Sequence, residues 1–143
     1  MRRQGQPRGF LLDTDVLINL LKHAPGYRLL SHRYPPALYY ASISKKELYG
    51  KRGLSGAEAK AIAALLQTLR QVNLDARILE CFDTLLRNYH SCGLLKADAL
   101  IAATAWAKGL MLVTGNVQDF HFIEEIAVVP PADFFKSWGS VQS

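Results

Sequence analysis

Gly9-Phe10-Leu11-Leu12-Asp13-Thr14-Asp15-Val16-Leu17-Ile18-Asn19-Leu20-Leu21 is the stretch that decides the fold. Gly9 to Leu12 is a short apolar run of the kind buried on both faces of a sheet. Two carboxylates follow, and an apolar helix start, Val16 to Leu21, follows them. A strand that runs through acids into a helix is the first half of a βαβ unit. Asp13 is placed to end the strand, and Thr14 or Asp15 to cap the helix. One cap uses one side chain, so a second carboxylate is left without a structural task.

The alternation continues along the chain. Pro25-Gly26 and Pro35-Pro36 punctuate a loop-rich stretch with room for one short helix. Leu38 to Ala41 is a second strand, and Ser44-Lys45-Lys46-Glu47 has the capping-box pattern that opens a helix. Ser55-Gly56-Ala57-Glu58 repeats that pattern ahead of a stripe formed by Ile62, Leu65, Leu66 and Leu69. Val72-Asn73-Leu74 is a third strand, and Asp75 is an N-cap for a helix carrying Leu79, Phe82, Leu86 and Tyr89. Gly93 breaks that helix. Lys96 to Lys108 is a nearly all-apolar helix closed by Gly109, and Leu110 to Val113 is a fourth strand. Asn116 to Phe120 is a short helical turn, Ala127 to Val129 a fifth strand ending at Pro130-Pro131, and a short helix starts near Asp133.

The fold class is therefore α/β, with a parallel sheet of about five strands and helices on both faces. Residues 1–8 form a basic arm, 9–136 a single domain and 137–143 a tail. In such sheets the ligand crevice lies at the carboxyl ends of the strands.

With 143 residues, half of them apolar and 20% charged, the chain suits one domain and excludes a disordered polymer. No apolar run approaches the ~20 residues needed to cross a bilayer. The N-terminal arm lacks the apolar core of a signal peptide, so a cytoplasmic location is expected. Cys81 and Cys92 make neither a disulfide framework nor a four-ligand zinc site and are expected as reduced thiols packed as small apolar groups. His23, His32, His90 and His121 lack metal-ligand spacing, and Ser42 and Ser44 lack the partners of a nucleophilic triad. The net charge of +5 is uneven: residues 1–60 hold 11 Lys/Arg against 4 Asp/Glu. A basic surface around a few carboxylates suits a polyanion.

Asp98 is the most informative acid. Leu94, Leu95, Ile101, Ala102 and Ala105 surround it at helical spacing, so it interrupts an apolar stripe. Placement in the first turn of a helix favours a carboxylate by about 0.3–1 kcal/mol, less than burying an unpaired charge costs. Glu47 has a competing structural account in the Ser44 capping box, and Asp119 in an Asn116 cap. Asp13, Asp15 and Thr114 directly follow strands, while Glu47 and Asp98 are expected in helix first turns, so all converge on one rim. Two carboxylates 4 Å apart repel by about 4 kcal/mol at an effective dielectric of 20. No cationic residue recurs beside all of them. A hard divalent cation, Mg²⁺ or Mn²⁺, is the simplest compensation, and phosphodiester hydrolysis is the chemistry it supports.

Leu11-Leu12-Asp13-Thr14-Asp15-Val16-Leu17-Ile18 resembles the opening motif of PIN domains, particularly VapC-type ribonuclease toxins of toxin–antitoxin pairs. Ser42-x4-Glu47-Leu48-Tyr49-Gly50, the stretch Asp98 to Ala105, and the stretch Leu112 to Phe120 resemble their second, third and fourth motifs, in the family's order. The resemblance implies a PIN-like three-layer α/β/α fold and a Mg²⁺- or Mn²⁺-dependent endoribonuclease, homodimeric and silenced by a cognate antitoxin. It implies Asp13 and Asp98 as leading metal ligands, with Glu47 and Asp119 completing the acidic set. Thr114 and Asn116 would support by hydrogen bonding; Asp15 stands where relatives often carry Asn, which makes it a supporting residue. Lys45 and Lys46 are candidates to contact RNA phosphates. Two alternatives remain: a haloacid-dehalogenase-like phosphotransferase using Asp13, for which Leu17 and the lack of a later acid pair are poor matches, and a non-catalytic PIN-like interaction module whose acids serve only caps and salt bridges.

Overall fold

Leu11 and Leu12 of the first strand, β1 (Phe10–Leu12), are both fully buried, which requires cover on both faces of the sheet. A computed structural model describes residues 8–22 and 37–135. The arm to residue 7, the loop stretch of residues 23–36 with its expected short helix, and the tail from residue 136 lie outside the described residues.

β1 pairs in parallel with β2 (Leu38–Ala41) on one side and β4 (Met111–Val113) on the other. β3 (Arg70–Val72) extends the sheet beyond β2, and β5 (Val128–Val129) beyond β4. The order β3-β2-β1-β4-β5 makes β1 the strand at which the winding changes direction. The crevice at the carboxyl ends of β1 and β4 is the topological switch point, where open α/β sheets bind ligands.

Side chains alternate between the two faces of each strand. Leu12, Leu38, Tyr40 and Val113 pack with α1 (Thr14–Lys22), α2 (Ser42–Tyr49) and α3 (Gly56–Gln67) in one apolar cluster. Leu11, Ala41 and Leu112 pack with α4 (Ala76–Tyr89) and α5 (Lys96–Lys108) in the other. Three layers result, as expected. The Ser55 capping box closes, with Glu58 N–H donating to Ser55 Oγ at 3.0 Å and Ser55 N–H to Glu58 Oε1 at 3.2 Å. Asp75 caps α4 by accepting from Ile78 N–H at 2.9 Å, and Gly109 ends α5 in the left-handed region at φ 66°.

Several expectations are corrected. The Ser44–Glu47 capping box does not form: the chain turns straight out of β2 into α2, Ala41 stands at the N-cap without a side-chain bond, and the helix starts at Ser42. Ser44 therefore lies inside the helix, and Glu47 in its second turn rather than its first. β3 runs Arg70–Val72 instead of Val72–Leu74, because the register Ala41↔Val72 ends the ladder there and leaves Leu74 half exposed. As an edge strand it tolerates the exposed Arg70 and Gln71. The buried stripe of α4 is Ile78, Cys81 and Leu85; Leu79 is half exposed, and Phe82, Leu86 and Tyr89 are only partly covered. Cys81 is a buried thiol as expected, but Cys92, on the turn after α4, is exposed. Residues 131–135 are helical, seating Phe134 against Phe10 with ring centroids 4.8 Å apart.

Candidate active site

Asp13 leaves β1 at the switch point, and only 7% of it is exposed. Its Oδ1 accepts the Thr14 backbone N–H and its Oδ2 the Thr114 hydroxyl, each at 2.8 Å. Burial pushes its carboxyl up from 3.8 to about 6, and the charges of Asp15 and Asp98 add to that. The bonds from Thr114 and Thr14 pull the other way without offsetting it.

Thr114 directly follows β4 and is fully buried. Its hydroxyl donates to Asp13 and accepts the Asn116 N–H at 3.0 Å, so the loop after β4 is bound to the acid after β1. Asp15 Oδ2 tightens the same joint by accepting the Gly115 N–H at 2.9 Å. Its Oδ1 is buried and lacks a hydrogen-bond partner among the described residues. Asp15 thus acts on the loop, consistent with a supporting place. A Cβ on Gly115 would lie 2.5 Å from Asp15 Oδ2. Gly115→Ala is therefore expected to break this clamp, cost about 2 kcal/mol in urea unfolding and loosen Thr114. An unchanged unfolding midpoint would contradict the clamp.

Asp98 stands in the first turn of α5 and is partly buried. Burial raises its pKa, and the carboxylates of Asp119 and Glu47 raise it further. Asp98 therefore feels Glu47 and Asp119 on one side, and Asp13 feels Asp98 on the other. Asp98 is thus the acid that links the other three, feeling Glu47 and Asp119 and acting on Asp13. Glu47 hydrogen-bonds to Thr14 across helices, with Thr14 Oγ1 2.9 Å from Oε1. Asp119 is exposed on the turn Val117–Asp119; its N–H donates to the Asn116 carbonyl at 2.9 Å, and Asn116 makes no side-chain cap. The capping roles that would have occupied Glu47 and Asp119 are thus absent, which removes the sequence support for a purely structural module.

Among the described residues no ion pair is made to Asp13, Glu47, Asp98 or Asp119. Among the described residues the ion pairs are Lys51–Glu58, Arg77–Glu80 and Lys108–Asp75, all elsewhere. Lys45 and Lys46 are exposed on α2, the helix that carries Glu47. Among the described residues no group of three or more His, Cys, Asp and Glu side chains is arranged to hold a metal ion. Carboxylates such as Asp13 and Asp98 are donors of the kind that suits Mg²⁺, which keeps several of its waters. Two hydroxyls that were assigned at most to capping also belong here: Thr14, and Ser44, whose Oγ lies 2.8 Å from Thr14 Oγ1. Their signal in the sequence was masked by the capping-box pattern.

The family model described as "PIN domain" matches residues 10–124. The chain belongs to the PIN-domain family. That span contains Asp13, Glu47, Asp98, Thr114, Asn116 and Asp119, and it leaves no room for the haloacid-dehalogenase alternative. "Ribonuclease VapC10" of Mycobacterium tuberculosis is 34% identical over 122 residues, covering 81% of this chain and 89% of that protein. The structure of a toxin–antitoxin complex from Klebsiella pneumoniae is similar at 28% identity and a TM-score of 0.66, covering 83% of this chain and 94% of its own. DNA-bound VapBC from Salmonella typhimurium is similar at 26% identity and a TM-score of 0.70, covering 85% and 97%. The fold is therefore shared with both solved structures over most of this chain.

Proposed function

We propose that this PIN-domain protein is a divalent-metal-dependent endoribonuclease, the toxin of a type II toxin–antitoxin pair that acts in the cytoplasm. The observation that carries it is Asp13 held at the switch point by Thr14 and Thr114, near enough to feel the charge of Asp98, which in turn feels Glu47 and Asp119. The similarity to a VapC ribonuclease and to toxin–antitoxin structures supports both the activity and the partner.

In this reading Asp13 and Asp98 hold Mg²⁺ or Mn²⁺, and Glu47 and Asp119 complete the acidic set. The ion, when bound, supplies a water of lowered pKa and an electrophile for a phosphate oxygen. Thr114 holds Asp13 Oδ2 and so fixes the direction of the other carboxylate lone pairs. Asp15 holds the loop that carries Thr114 and Asn116. Lys45 and Lys46 neutralise RNA phosphates that approach along α2, a charge-dependent contribution that weakens with salt. Beside Glu47 a groove of about 390 Å³ between α1, α2 and α3, floored by Ile18, Leu21, Leu48 and Leu54, offers an antitoxin segment an apolar seat next to the acids. A homodimer is the expected assembly. No described helix is long and apolar enough to cross a membrane.

The test is cleavage of single-stranded RNA by the purified protein. Cleavage is expected with Mn²⁺ or Mg²⁺, abolished by EDTA and restored by excess metal. Replacing Lys45 and Lys46 together by Ala is expected to weaken RNA binding and flatten its salt dependence. Full activity in EDTA would overturn the metal-dependent reading, and co-expression with the adjacent gene product is expected to silence the enzyme.

A further inference from the structure

We propose that Ser44 and Thr14 form a hydroxyl pair that positions Glu47 relative to Asp13, which makes both of them positioning residues of the acidic site. The inference rests on the ribonuclease reading above and adds to it a device that sets the spacing of two acids.

Thr14 touches both carboxylates. Its backbone N–H donates to Asp13 Oδ1 at 2.8 Å, and its hydroxyl lies 2.9 Å from Glu47 Oε1. The same hydroxyl lies 2.8 Å from Ser44 Oγ. A threonine hydroxyl has one proton to give, and an ionised carboxylate is the stronger acceptor. Thr14 therefore donates to Glu47, and Ser44 donates to Thr14. The result is a directed chain, Ser44 to Thr14 to Glu47, anchored at its middle to Asp13.

Ser44 has no other evident purpose. It is 0% exposed inside α2, where a serine hydroxyl commonly turns back to a carbonyl of the preceding turn. Here it reaches instead to another helix. Alanine would fill the same place with a higher helix propensity and no polar group to bury. Among the described residues, no backbone hydrogen bond joins α1 to α2, so the hydroxyl pair is the polar link between the two helices at this point. Glu47 itself is exposed, and a long exposed side chain samples many rotamers unless something holds it.

The experiment places Ser44→Ala and Thr14→Val in the wild-type chain and in a Glu47→Ala background, which removes the acceptor, and reads kcat, KM and melting temperature on one RNA substrate. Each variant is expected to lower wild-type kcat about tenfold with KM within about twofold, because a displaced group costs the chemical step more than binding. Thr14→Ser and Ser44→Thr, which keep the hydroxyl, are expected to restore most of the rate. In the Glu47→Ala background Ser44→Ala is expected to change kcat by less than about twofold, since its effect passes through Glu47. An equal loss in both backgrounds would overturn the proposal, because general structural damage is indifferent to Glu47. An active wild type with Ser44→Ala and Thr14→Val equally active would overturn it too. The carboxyl carbon resonance of Glu47 in the metal-free protein provides a readout that does not need RNA cleavage. A shift on both substitutions supports the pair even if the wild type proves inert towards RNA, which would sink the functional reading alone; an unmoved resonance overturns the pair.

Discussion

Asp98→Asn is expected to abolish RNA cleavage, by roughly a thousandfold or more in kcat, while the protein stays folded. The size follows from the role proposed for this carboxylate: an amide keeps the shape of the side chain and removes the charge that attracts a divalent ion. The fold is expected to survive because Asp98 holds no neighbour by a side-chain hydrogen bond among the described residues, and its ionised form is already disfavoured by burial, Asp119 and Glu47. Single-turnover cleavage and a thermal melt check both halves. A variant that cuts within about tenfold of wild type would remove Asp98 from the metal-binding pair.

The second large effect concerns Asp13, where loss of activity is expected together with a gain in stability. In the folded metal-free protein its carboxyl titrates at about 6 against an ordinary 3.8. Between those values the folded state holds a proton that the unfolded state has released, so this group makes stability fall as pH rises through that window. Above it both states are ionised, and the folded state carries a constant penalty on the order of 3 kcal/mol. Asp13→Asn removes the ionisation. Its amide oxygen still accepts one of the two bonds, so part of the penalty is recovered, and the melting temperature at pH 7 is expected to rise by roughly 5 °C. The gap between variant and wild type should widen from pH 4 to pH 6.5. A gap that stays flat across that range would show that Asp13 is not strained in the folded protein. Stability surrendered at a functional carboxylate is a common trade in enzymes.

The α/β class and the places of β1, β2, β4 and β5 could be read from local pattern. Short apolar runs ended by acids, the Ser55 box, the Asp75 cap and the Gly109 stop are local signals, and each appears in the structure. Tertiary context decided what was misread. Ser44-x-x-Glu47 matches a capping box by residue type, yet the strand before it leaves no loop, so α2 begins at Ser42 and both residues turn towards α1. Leu74 looked like strand core because it is apolar, but the ladder with β2 ends at Val72. In α4 the apolar residues outnumber the buried positions, and packing against α5 selected Ile78, Cys81 and Leu85. The roles of Thr14 and Ser44 depend on contact between helices 30 residues apart in the chain, which no local pattern encodes.

In the proposed mechanism, acids from distant parts of the chain share one divalent ion. Anomalous diffraction from crystals soaked in Mn²⁺, under conditions where the protein cuts RNA, tests it most directly. A manganese peak bonded to both Asp13 and Asp98 is expected, lost in crystals of Asp98→Asn. A cleaving enzyme with no peak between those two carboxylates would contradict it.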